Sequence, residues 1–133
     1  LFLNQGVIVS TKSRSEGNQQ FQALPGNEFQ SLKLGILING RSASAAEVFT
    51  AALKEHQRAW VLGEKSYGKG VVQKLFPLAN GAALQMTVSH YFTPKESMID
   101  GQGIRPNQEY AWPLDMKEDT YLNNVAEMLI KHK

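Results

Sequence analysis

The chain contains no cysteine. That absence excludes a disulfide framework, a thiolate metal site and a cysteine nucleophile. It leaves the compartment open, since a cysteine-free chain suits either redox environment. No apolar run approaches the roughly 18 residues that a membrane-spanning helix needs. No basic run stands out: 14 Lys+Arg face 12 Asp+Glu, for a formal net charge of +2, so nucleic-acid binding is not expected. Histidine is scarce, with three among 133 residues, which narrows the choice of a general base. The 42% apolar and 20% charged content is that of a globular chain. Its 133 residues leave room for one core; a domain near 150 residues hides roughly 68–70% of its unfolded surface.

Apolar periodicity orders the chain. Leu1-Phe2-Leu3-Asn4-Gln5-Gly6 reads as the last turn of a helix capped by Gly6, and a start on such a turn reads as part of a longer protein. Residues 6–11 form a β-branched run and a predicted strand. Residues 12–31 lack periodicity and read as a surface loop or hairpin. Leu34 to Ile38 is a continuous apolar run, predicting a strand covered on both faces. Ala45 to Glu55 is the clearest helix, with Ala45, Val48, Phe49, Ala52 and Leu53 on one apolar face. Strands are predicted over 59–63, 71–76 and 83–91, loop over 93–108, and a helix from Lys117 to Lys131. Trp60, Phe76 and Tyr91 read as core or interface residues. The order is that of a mixed α/β domain.

The chemistry centres on Asn39-Gly40-Arg41-Ser42-Ala43-Ser44-Ala45-Ala46-Glu47, where a strand runs through a small-residue turn into a helix. A hydroxyl presented there is a candidate nucleophile, and Ser44 is the candidate. It needs a base. His132 lies beside the end of the chain, and His56 is twelve helical residues from Ser44, roughly 18 Å at the helical rise. His90, near a strand end, stays open as structural or functional. A lysine can serve instead when apolar surroundings lower its basicity. Lys69 sits between Gly68 and Gly70, whose freedom lets the backbone bring it against another element. Lys69, Val71 and Gln73 share one face of an extended chain, so Gln73 could orient the amine. The bland readings stand beside these. Ser42 and Ser44 fit helix N-caps, Glu47 fits a capping box with Ser44, and Gly-Lys-Gly fits a turn.

The runs Leu37 to Val48, Arg58 to Glu64 and Tyr67-Gly68-Lys69-Gly70-Val71-Val72-Gln73 together resemble the C-terminal processing (tail-specific) serine peptidases. Those enzymes carry a Ser-Ala-Ser-Ala-x-Glu motif, followed by a Phe/Tyr-Gly-Lys-Gly-x-x-Gln motif whose lysine stands as far from the second serine as Lys69 does from Ser44. Gly101-Gln102-Gly103-Ile104-Arg105-Pro106 resembles a further family segment, and the likeness runs over residues 1–107. The resemblance implies a Clp protease/crotonase-like α/β core with mixed strand directions, of which residues 1–133 are the C-terminal part of the catalytic domain. It implies an endopeptidase that acts near the C-termini of proteins or peptides through an acyl-enzyme. Ser44 would be the nucleophile, Lys69 the base, Gln73 the residue that positions it, and the Ala45 amide one oxyanion donor. No cofactor or metal is implied. The implied setting is a bacterial periplasm or envelope, or a plastid lumen.

The family's Asn-Pro-Gly-Gly segment, which holds a second oxyanion amide, and its PDZ domain precede the matched residues. Loss of one oxyanion donor typically costs roughly 10²–10³ in kcat, so residues 1–133 alone are expected to be inactive. Apolar surface near residues 7–9 and 34–38 is expected to drive self-association. Three departures stand out: Glu55 where an aspartate can assist, Glu96 where glycine is common, and Asn107 where aspartate is common. A non-catalytic binding or scaffold relative remains an alternative. A crotonase-type acyl-CoA enzyme is a third reading, disfavoured because it has no need of the Ser44–Lys69 pair.

Overall fold

The computed structural model describes every residue except Glu16, Asn27, Leu114 and Lys133. Two sheets divide the strands. Strands β1 (Val7–Ser13), β2 (Gln19–Gln22), β5 (Val71–Pro77) and β6 (Ala83–Phe92) form an antiparallel sheet in the order β2-β1-β6-β5. Strands β3 (Gly35–Ile38), β4 (Trp60–Gly63) and β7 (Gln108–Glu109) form a parallel sheet in the order β3-β4-β7. Helix α1 (Ala45–Glu55) connects β3 to β4, and α2 (Glu118–Lys131) follows β7. The mixed α/β class holds, and the hairpin reading of residues 12–31 holds in the β1–β2 pair.

The parallel sheet is packed on both faces. On one side Ile38, Ala51, Val61, Ile99 and Ile104 make a buried core; on the other, Leu62 packs with Tyr121 and Val125 of α2. β4, with Val61 and Leu62 turned to opposite sides and both fully buried, is the strand covered twice. β3 is covered less, since it lies at the sheet edge and leaves Leu37 partly exposed. The apolar-face reading of α1 needs correction. Phe49 is 47% exposed and Ala45 is exposed, whereas Glu47, Thr50, Ala51, Ala52 and Leu53 are buried. The helix is rotated toward its polar residues because Glu47 finds partners inside. Residues 1–6 form no helix. Phe2 packs against Phe29 and Phe49, its carbonyl accepts from Arg58, and Gly6 turns the chain at φ 93°. Phe76 is also exposed, on the β5–β6 hairpin, rather than in the core.

Two modest predictions arise here. Tyr121 is buried, and its hydroxyl donates to the Tyr110 carbonyl at 3.0 Å. Burial first, then Tyr110 and Glu64, hold this phenol above its usual value. The unfolded chain therefore loses the proton before the native chain does, so this contribution is intact below about pH 10 and is lost as pH rises through the native value. Tyr121→Phe should be less stable than the native chain by about 1 kcal/mol near neutrality. The gap should narrow above about pH 10, which melting curves against pH will read. Glu96 has a left-handed φ of 62° and an exposed 3.7 Å pair with Lys12. Left-handed backbone costs a side-chain-bearing residue about 1–2 kcal/mol, and an exposed pair returns less. Denaturant titration of Glu96→Gly should therefore show a gain of about 0.5–1 kcal/mol.

Candidate active site

The site is built where β3 ends. Asn39 accepts from Arg41 N through Oδ1 at 2.9 Å and from Ser42 N through its carbonyl at 2.9 Å, while Ser42 Oγ accepts from Asn39 N at 3.1 Å. This closes the turn, with Ser42's hydroxyl as one of its acceptors. Ser44 follows as the N-cap of α1 with φ 56° and ψ −116°. A side-chain-bearing residue held in such a region stores about 1–3 kcal/mol, as nucleophiles on sharp strand-to-helix turns do. Ala45 N–H donates to no described residue, so one amide at the positive end of the helix is open.

The second half comes from the loop after β4. Tyr67 N donates to Ser42 O at 2.9 Å, tying the loop to the turn. Gly68 has φ 91°, and its Cα faces the backbone of Gln102 and Gly103. Gly70 lies against Ile99 and Asp100 so closely that a Cβ would overlap Asp100 N. The glycines flanking Lys69 thus allow the close backbone approach expected of them.

Between the two halves lies Glu47, 1% exposed. Its Oε2 accepts from Ser44 N at 2.9 Å and from Lys69 N at 2.8 Å. Its Oε1 accepts from Ser66 Oγ and from Gly68 N, both at 2.6 Å. Ser66 Oγ in turn accepts from Ile104 N at 2.6 Å. The backbones of Ser44 and Lys69 therefore meet on one carboxylate oxygen. Their side chains do not: no hydrogen bond joins Ser44 Oγ to Lys69 Nζ, and Lys69 is exposed rather than enclosed in the apolar surroundings expected of a lysine base. Catalytic hydrogen bonds often tighten only with substrate in place. Gln73 Oε1 is engaged by Gln85 Nε2 at 2.8 Å rather than by Lys69.

The remaining candidates are accounted for. His56 Nε2 lies 2.7 Å from Val7 O, a structural contact. His90 Nδ1 is 3.8 Å from Asp100 Oδ2, and Asp100 Oδ1 accepts from Gly70 N at 3.2 Å. Glu55 accepts from Lys95 N and so braces a loop; Asn107 Oδ1 accepts from Val61 N. The capping-box pattern at Glu47 does not disclose its three loop donors, and Ser66 is a lone loop serine with no pattern to mark it.

With this geometry in hand, comparison with known proteins is decisive. The family model described as Peptidase family S41 matches residues 1–110. The chain belongs to peptidase family S41. It is 41% identical over 127 residues to a carboxy-terminal-processing protease of Bartonella bacilliformis, covering 95% of this chain and 29% of that protein. It is 39% identical over 114 residues to a carboxyl-terminal-processing protease of Synechocystis, covering 86% of this chain and 26% of that protein. A carboxyl-terminal-processing peptidase 2, chloroplastic, of Arabidopsis thaliana is 39% identical over 108 residues, covering 80% of this chain and 21% of that protein. Among solved structures, a photosystem II D1 C-terminal processing protease superposes with a TM-score of 0.78 at 28% identity, over 98% of this chain and 33% of that one. The S41 chain thus spans under a third of the length of these relatives.

Proposed function

We propose that the S41 chain carries the reacting groups of a serine endopeptidase that cleaves polypeptides near their C-termini. The observation that supports this most is the meeting of the Ser44 and Lys69 amides on one oxygen of Glu47, in a member of a peptidase family. In this reading residues 1–133 are the C-terminal part of a catalytic domain in a longer protein. Ser44 Oγ attacks the scissile carbonyl and passes its proton to the Lys69 amine. The oxyanion is met by the Ala45 amide. Lys69 returns the proton to the departing amine, which leaves an acyl-enzyme on Ser44. Water, deprotonated by Lys69, then releases the product acid and restores the hydroxyl. Gln73 leaves Gln85 to steady the lysine when substrate is bound. The substrates are proteins or peptides with accessible C-termini, and the bacterial and chloroplastic relatives favour an envelope or plastid-lumen setting.

The test is a fluorophosphonate probe on the whole protein, with the adduct mapped by mass spectrometry. A single adduct on Ser44 is expected. A folded protein that takes no label would overturn the peptidase reading and leave the scaffold alternative.

A further inference from the structure

We propose that Glu47 is the positioning residue of this site, holding nucleophile and base at a set separation through their backbones. The inference rests on the Ser44–Lys69 reading above.

A capping box requires one bond from an N3 carboxylate to the N-cap amide, at a helix end that usually faces water. Glu47 makes that bond to Ser44 N and three more, to Ser66, Gly68 and Lys69. All three extra donors belong to a loop beyond β4, so helix capping does not account for them. Burial gives the same message. A carboxylate taken out of water is costly unless its oxygens are fully bonded, and Glu47 is among the largest fully buried side chains. A fold that needed only a cap at this position could leave the group in solvent.

The division of labour between the two oxygens is specific. Oε1 is the anchor: it takes Ser66 Oγ and Gly68 N, and Ser66 is itself fixed by Ile104 N. That prevents the carboxylate from rotating. Oε2 is the bridge, taking the amides of Ser44 and Lys69 and no other described group. It secures Ser44 in its left-handed, strained conformation at φ 56° and fixes the start of the Lys69 side chain on the same point. Glu47 touches no reacting atom in this scheme. It acts through Ser44 and Lys69.

The test is Glu47→Gln in the whole protein. The amide is nearly isosteric but has one acceptor oxygen, and its nitrogen only donates. Whichever way it turns, one of the two donor pairs meets an N–H group. The probe-labelling rate and kcat for a peptide substrate should both fall about 10²-fold, as expected for a misplacement on the scale of 1 Å, with KM little changed. Circular dichroism at the assay temperature establishes that the variant is folded. A folded Glu47→Gln that labels at the native rate overturns the proposal while the dyad stands. A loss that vanishes on cooling below the variant's melting transition marks a purely structural brace and overturns it too. If the variant does not fold, amide exchange in the native protein decides: Ser44 and Lys69 N–H should both be protected, and free exchange at either breaks the bridge. A native protein that the probe ignores overturns the dyad, and the inference with it.

Discussion

Replacing Ser44 by alanine in the whole protein is expected to abolish fluorophosphonate labelling and to lower peptide turnover by at least about 10⁴-fold; Lys69→Ala should do nearly the same. The argument runs from proton bookkeeping. A serine hydroxyl is a weak nucleophile until a neighbouring base takes its proton, and without the base the intact hydroxyl gains little. Groups that act as a unit are strongly non-additive, so the double variant should be no slower than Ser44→Ala alone. Peptide turnover at matched protein concentration, set by absorbance, measures all three. Residual rate above the uncatalysed reaction would come from the open Ala45 amide and substrate binding. Intact labelling in Lys69→Ala would count against lysine as the base and move attention to His90. That imidazole has a buried Nδ1 without a hydrogen-bond partner among the described residues, 3.8 Å from Asp100 Oδ2. It also sits opposite Val71, two residues beyond Lys69.

Much of this was legible in the residues, for definite reasons. α1 was readable to its ends because Ser44 and Glu47 mark its start and its alanines sustain it. The strands β3, β4, β5 and β6 were readable because each is an apolar or alternating run between turn residues. β7 was not, since two residues, Gln108 and Glu109, carry no periodicity; they pair with Leu62 and Gly63 in a short ladder that Asn107 and Tyr110 clamp to β4 at either end. The orientation of α1 departs from its apolar pattern for a related reason. Hydrophobic patterning places a glutamate outside, and nothing local announces four donors waiting for it. The closeness of Ser44 and Lys69 came from family likeness and glycine chemistry; the agent that joins them is a tertiary contact no spacing rule reveals. Gln73 lies within β5, whereas Lys69 precedes it. The partner of Gln73, Gln85, depends on the β5–β6 register, where Val88 forms a one-residue bulge on β6 between the Val72 and Gln73 pairings.

Gly70→Ala should be the most damaging small substitution in the loop that presents Lys69. An added Cβ would overlap Asp100 N and stand 2.8 Å from both the carbonyl carbon and the Cβ of Ile99. Those obstacles are backbone and a residue only 1% exposed in the core, so neither can swing aside. Gly70 cannot retreat either, because its carbonyl accepts from Tyr91 N at 2.7 Å and its amide donates to Asp100 at 3.2 Å. Something in this clasp must open. The expected cost is about 3–5 kcal/mol, the range reached when core packing and hydrogen bonds fail together. Gly40→Ala is the matched control: it lies in the same site, within the turn before Ser44, yet a Cβ there meets nothing within 4 Å, and its cost should stay within about 0.5 kcal/mol. Denaturant midpoints of the two variants in the whole protein make the comparison. Equal midpoints would mean that the Gly70 loop is not clasped against residues 99–100. If the clasp is real, Gly70→Ala should also slow probe labelling at temperatures where it remains folded, because Lys69 N loses its register with Glu47 when its neighbour is forced out.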